Sequence, residues 1–191
     1  MTAIAMNDLD RRDEVVRLGL WMFLATVTML FAAFTSAYVV RKSGSDWHHL
    51  DLPAILWVNT GLLAASSAAV EFAYARGGKG RFVASGVAFG AAIALGSGFL
   101  AGQIVAWRHL MAAGVYLPTN PSSSFFYMMT GAHAVHIVAA LAVLLWGALR
   151  TWSGRGASDP RRWATTMSVC RTFWHYLGGV WIYLFIVMTV L

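Results

Sequence analysis

The chain has one cysteine, Cys170, in 191 residues, so it cannot form an internal disulfide, and no CxxC or Cys/His cluster exists to hold zinc or an iron–sulfur centre. Charged residues make up only 12% against 59% hydrophobic, and the mean hydropathy is +0.63, which excludes disorder, collagen, coiled coil and an ordinary soluble domain. GxGxxG and Walker-type loops are absent, so nucleotide chemistry has no support. The first sixteen residues mix acids and bases and lack a small-residue cleavage site. The apolar run after them is too long for a signal peptide, so the first hydrophobic helix is expected to be retained.

What is present is apolar sequence in spanning lengths. A membrane helix needs about 20 mostly apolar residues, which divides the chain into spans at about 18–40, 53–75, 82–107, 125–149 and 164–191, after a short N-terminal segment, 1–17. The expected fold is all-α: one integral membrane bundle of five transmembrane helices, joined by polar turns rich in glycine, proline and serine. The net charge of +6 sorts by side rather than forming a nucleic-acid surface. Arg11, Arg12, Arg17, Arg76, Lys79, Arg81, Arg150, Arg155, Arg161 and Arg162 fall on one side, and only Arg41, Lys42 and Arg108 on the other. The positive-inside rule then puts the N-terminus in the cytoplasm and the C-terminus in the periplasm.

The third span carries Gly86, Gly90, Ala94, Gly98 and Gly102, a small residue every fourth position. Such a stripe lets a neighbouring backbone approach, the usual basis of helix association in lipid, and suits close packing far better than a glycine-lined pore.

Ionisable groups inside a membrane are costly and are candidate sites. Glu71 is the sole acid in any span, one turn before the basic end of its helix and five residues from Arg76. It reads as an interfacial carboxylate paired with Arg76, or as a proton-relay or lipid-headgroup site. His133 and His136, three apart with Thr130 one turn away, share a face. They read as hydrogen-bonding partners between helices or as contacts to lipid or a partner. Metal binding is disfavoured because zinc helices use a four-residue step with a nearby carboxylate. Arg171 and His175, flanked by Trp174 and Tyr176, read as a snorkelling arginine among headgroup-level aromatics. Ser66, Ser67 and Ser97 sit beside small residues, where serine bonds its own backbone or a neighbouring helix. No catalytic constellation appears. A b-haem anchor using His133, His136 and His175 is the main alternative from the residues alone. A transporter would rest on Glu71 only and would lack the inverted repeats that such folds show.

Nearly the whole chain from Gly19 resembles subunit III of the haem–copper terminal oxidases, the cytochrome c and quinol oxidases. The carriers are GLWMFLATVTMLFAAFTSAYVVR, LPAILWVNTGLLAASS, Gly102 with Gln103, FFYMMTGAHAVHIVAAL and WHYLGGVWIYLFIVM. Many members have seven helices, and this chain is similar to the five-helix version. The resemblance implies an accessory, non-redox subunit in the aerobic respiratory chain with no cofactor of its own; haem and copper are expected in partner subunits I and II. It also implies contact with those subunits or a larger respiratory assembly, bound phospholipid, a bacterial inner-membrane location, and support of stability and of proton and oxygen supply. The lipid or partner contacts would be drawn from Glu71, Arg76, His133, His136, Arg171, Trp174 and His175. Three departures stand out: Thr26 and Val27 replace a common serine–glutamate, Ala106 stands where a glutamate often follows the glutamine, and Gly178 replaces the aspartate of the tryptophan–histidine run.

Overall fold

The computed structural model describes residues 2–48, 50–154 and 158–190, with side chains from 11 onward. Arg155, counted among the basic connector residues, and Leu191, the expected end of the last span, lie outside the described residues. Five helices follow one another: α1 (Thr2–Lys42), α2 (Ile55–Gly78), α3 (Phe82–Ala112), α4 (Pro121–Trp152) and α5 (Pro160–Val190). All five are long and apolar enough to cross a membrane.

The helices overrun the expected spans for local reasons. Before α4, Asn120 takes extended geometry and its Oδ1 accepts the Ser123 amide at 2.8 Å, while Ser123 Oγ accepts the Asn120 amide at 3.3 Å. With Pro121 in the first turn, this capping box starts the helix four residues ahead of Phe125. At the other ends, Gly114 (φ 78°) and Gly154 (φ 74°) take the left-handed turn that lets the chain leave α3 and α4. α1 begins well before Leu18, so most of segment 1–17 extends the first helix.

Helices α2, α3, α4 and α5 close into a ring, each packed on the next and α5 returning to α2; the α2–α3 pair is the most extensive contact. α1 lies outside the ring against α4 and α5. The ring is built around three tryptophans of α5. Trp163, Trp174 and Trp181 are spaced eleven and seven apart, which returns each to the same face of a 3.6-residue helix, and all three are buried. Trp181 donates Nε1–H to Thr60 Oγ1 at 3.0 Å and meets Phe99 edge-on at 4.9 Å, while Trp163 donates to Thr151 Oγ1 at 2.9 Å.

Glycine makes room for two of these rings. A Cβ at Gly77 would sit 2.0 Å from the Trp163 ring, and one at Gly96 2.6 Å from the Trp174 ring. The α3 stripe serves two neighbours at once. Gly86 and Gly90 face Trp152 of α4, and Gly98 and Gly102 face Leu62 and Asn59 of α2. Ala94 is exposed, because a strict four-residue repeat drifts around the helix by about 40° per step. Across the same α2–α3 seam Ser66 Oγ donates to Ala92 O at 2.8 Å, a bond to a neighbouring helix of the kind expected for this serine.

Candidate functional site

Three polar side chains from distant parts of the chain meet on the α2–α5 seam. Arg171 Nε donates to Glu71 Oε1 at 2.5 Å, and His175 Nε2 donates to the same oxygen at 2.6 Å. The four-residue spacing of Arg171 and His175 stacks them on one face of α5, so a single carboxylate reaches both. The Arg171 guanidinium also lies 4.9 Å from the centroid of the Tyr74 ring, one turn along α2 from Glu71. The side chains are 43%, 41% and 34% exposed for Glu71, Arg171 and His175, so the cluster opens outward from the ring.

The expected Glu71–Arg76 pair is not what forms. Five residues on a helix correspond to about 140° of rotation, and the Arg76 guanidinium sits instead over the Phe72 ring at 4.4 Å. Arg171 is not a free snorkelling side chain either, since the carboxylate of α2 holds it.

Trp174 is fully buried against Gly96 rather than standing at headgroup level, which removes it from the lipid- or partner-facing set. Tyr176 turns toward α1, where its hydroxyl lies 2.7 Å from Thr28 Oγ1 and donates to Leu24 O at 3.2 Å.

The histidine pair also divides. His133 is wholly enclosed, its ring 5.4 Å from Trp181, 6.0 Å from Phe99 and 6.2 Å from Phe31, and neither nitrogen has a hydrogen-bond partner among the described residues. It makes neither the interhelical hydrogen bond nor the surface contact expected of it. His136 points to the α1 side, with Phe31 at 5.8 Å and Phe23 at 6.4 Å, and donates Nδ1–H to Ala132 O of its own helix at 2.7 Å.

His175 faces α2 while His136 faces α1, so these two do not converge as axial ligands of one haem, and the rings around His133 fill the space a haem plane needs. Among the described residues no three histidine, cysteine or carboxylate side chains cluster, and the third member of the Glu71 group is a cation. Asn59, beside Gly102, and Gln103 are buried with unpartnered amides among the described residues; both lie in segments that carry the family resemblance.

Outside the spans, Asp46 and Arg41 form an exposed ion pair that folds the α1–α2 connector back on α1. The hydrogen bond from Arg41 holds the Asp46 carboxyl below the usual carboxylate range. Ser122 Oγ donates to His48 O at 2.6 Å and fastens this connector to the start of α4.

The arrangement can neutralise a carboxylate and a guanidinium within the membrane while leaving part of each open to the outside. It contains no nucleophile paired with a base.

Comparison with known proteins gives the setting. The family model for cytochrome c oxidase subunit III matches residues 10–190. The chain is 32% identical over 187 residues to the cytochrome bo(3) ubiquinol oxidase subunit 3 of Pseudomonas putida, covering 93% of this chain and 86% of that protein. It is 30% identical over 183 residues to the cytochrome c oxidase subunit 3 of Corynebacterium diphtheriae, covering 92% and 87%. The cytochrome c oxidase subunit 3 of Bacillus sp. is 28% identical over 175 residues, covering 90% and 83%.

Proposed function

The chain belongs to the cytochrome c oxidase subunit III family, and from that premise we infer that it is the accessory, non-redox subunit III of a haem–copper terminal oxidase in the aerobic respiratory chain. The observation that carries this reading is the family match across nearly the whole chain. Among the described residues the ionisable groups inside the bundle are engaged in pairing and packing: Glu71 with Arg171 and His175, and His133 buried among aromatic rings. Haem and copper belong to partner subunits I and II, against which this bundle packs, alone or within a larger respiratory assembly.

In this reading the chain is a multi-pass protein of the bacterial inner membrane, with the arginine-rich helix ends in the cytoplasm and the C-terminus in the periplasm. The Glu71, Arg171 and His175 cluster lies about 10 Å in from the Gly78 end of α2. At that depth an outward-facing ion cluster needs a polar neighbour, and a phospholipid headgroup or a polar group of subunit I meets that need. The subunit then acts as a lateral wall that orders lipid beside subunit I and prolongs the working life of the oxidase by maintaining proton and oxygen supply.

The test is an affinity isolation in mild detergent through a C-terminal tag, recording visible absorbance and partner masses together. The expected result is haem co-eluting with a large polytopic chain and staying with that chain when this one is stripped away. Haem retained on the 20.8 kDa chain itself would overturn the reading in favour of a b-haem anchor. In a deletion strain, haem content is expected to hold while the number of turnovers before inactivation falls.

A further inference from the structure

The face that α2 and α5 turn away from the ring is low through its middle. On α2, Gly61, Ala64, Ala65 and Ala68 are exposed, with the exposed rings of Trp57 and Phe72 beyond them at either end. Positions three, four and seven apart fall on one face of a helix, so these four residues form a single patch about two turns long. Across the seam a Cβ at Gly178 would lie 3.7 Å from Ser67 Oγ, which puts Gly178 and Gly179 of α5 at the level of this patch. A Cβ at Gly61 or at Gly179 would meet nothing within 4 Å. The result is a trough without protruding side chains, floored by α2 and bordered by α5.

The ion cluster closes one end of the trough. Glu71 lies three residues along α2 from Ala68, and His175 four residues along α5 from Gly179, each about 5–6 Å on along its helix. Among the described residues the Arg171 guanidinium is hydrogen-bonded through Nε alone, to Glu71, which leaves the donors of its two terminal nitrogens unmatched. His175 donates through Nε2 to the same oxygen and keeps Nδ1 as an acceptor.

Trough and cluster together select the occupant. An acyl chain packs on any apolar surface, whereas a helix backbone approaches closely only where the facing side chains are small. A lipid headgroup answers the ions and leaves the trough without a purpose; an entirely apolar helix does the reverse. The charge count then selects the side chain that meets the cluster. Glu71 and Arg171 cancel, so a further carboxylate or cation would leave a net charge inside the membrane, which is costly. An uncharged carboxamide matches both open groups, its oxygen accepting from Arg171 and its N–H donating to His175 Nδ1.

We propose that the outer face of the α2–α5 seam seats a transmembrane helix of a partner subunit, with its backbone close to Ala65 and Ala68 and an asparagine or glutamine against Arg171 and His175. This names the polar neighbour of the Glu71 cluster, and it rests on the subunit reading above for the existence of a membrane-embedded partner.

The experiment uses the complex isolated in mild detergent through the C-terminal tag. Ala65→Cys carries a benzophenone maleimide and is irradiated in native membranes; the parent chain is the blank, because its one cysteine, Cys170, is buried. Val87→Cys, exposed on α3, is the contrast. The expected result is a label from position 65 on a partner's transmembrane segment that carries an asparagine or glutamine within the labelled turns, and no label on that segment from position 87. Gly61→Leu with Ala65→Leu fills the trough, keeps every charge and should lower recovery of that partner about tenfold or more. If the double variant fails to insert, Gly61→Leu alone should still lower recovery, since its added side chain starts in open space. Exchanging the partner's asparagine or glutamine for leucine should lower recovery about threefold, the size of one interhelical hydrogen bond in a membrane.

Label confined to lipid would overturn the proposal, as would label on a second copy of this chain. A labelled segment whose polar residue is a carboxylate, or which has none, would overturn it too, and so would undiminished recovery with the trough filled. A labelled, carboxamide-bearing helix on a complex without haem would instead sink the oxidase reading and leave the docking surface standing.

Discussion

Glu71 and Arg171 are a hundred residues apart in sequence and share a hydrogen bond of 2.5 Å, which makes them suited to a double-mutant cycle. Hydrogen bonds to charged groups contribute about 1.5–3 kcal/mol when enclosed, whereas fully exposed ion pairs give about 0.2–1 kcal/mol. At 41% and 43% side-chain exposure this pair falls between, so Glu71→Gln and Arg171→Gln should show a coupling energy of about 1–2 kcal/mol. Glu71→Gln alone should be worse than Arg171→Gln alone, because it strands a guanidinium and also removes the acceptor of His175. The assay is reversible unfolding in mixed micelles of mild and denaturing detergent, followed by the fluorescence of the nine tryptophans. Arg76→Gln serves as the contrast. It lies on another face and rests on Phe72, so its coupling to Glu71 should stay below about 0.3 kcal/mol. Coupling to Arg76 as large as to Arg171, or none to Arg171, would refute the geometry of the seam.

Gly96→Ala places a Cβ 2.6 Å from the immobile Trp174 ring and 2.9 Å from Leu141, and should lose about 1–3 kcal/mol in the same assay. Gly179→Ala, with nothing within 4 Å, should be neutral or gain up to about 1 kcal/mol, and the reverse order would show that α5 is not seated as described. His133→Phe should fall within about 1.5 kcal/mol of the parent because an apolar ring replaces unpartnered nitrogens, while His133→Ala should lose about 3 kcal/mol or more through the cavity it leaves; equal losses would indicate a hydrogen bond to His133. The hydrogen bond from Arg41 lowers the Asp46 carboxyl below its ordinary 3.8, so the clip contributes fully above about pH 4 and is lost as pH falls through the lowered value. The protection of amides in residues 43–48, taken relative to the intrinsic exchange rate at each pH, should therefore fall only below about pH 4, and Arg41→Gln should abolish that dependence.

Much of the fold was legible because membrane spans announce themselves by length and hydropathy, and the glycine stripe of α3 marks close approach by spacing alone. The partners of Glu71 were not legible, because the nearest cation in sequence, Arg76, is turned about 140° away and the true ones lie on a helix a hundred residues later. Trp174 was misread from its polar neighbours Arg171 and His175. A signal for its burial existed in its spacing from Trp163 and Trp181, which repeats one face of α5. His133 and His136 sit about 60° apart on α4, enough at a helix flanked by both the ring and α1 to send one inward and the other outward. Nothing local in the sequence distinguishes the two.

The position of α1 outside the closed ring carries a consequence for biosynthesis. Chains are made from the N-terminus, so α1 enters the bilayer ahead of α2 to α5, yet the surfaces it packs on belong to α4 and α5, which are made after α2 and α3. Until then Phe31 and Tyr38 of its inner face have only lipid or an assembly factor for company, while α2 and α3 can zip together as soon as the second of them is threaded. Among these five helices the first stable contacts therefore form between α2 and α3, and α1 is the last to find its place.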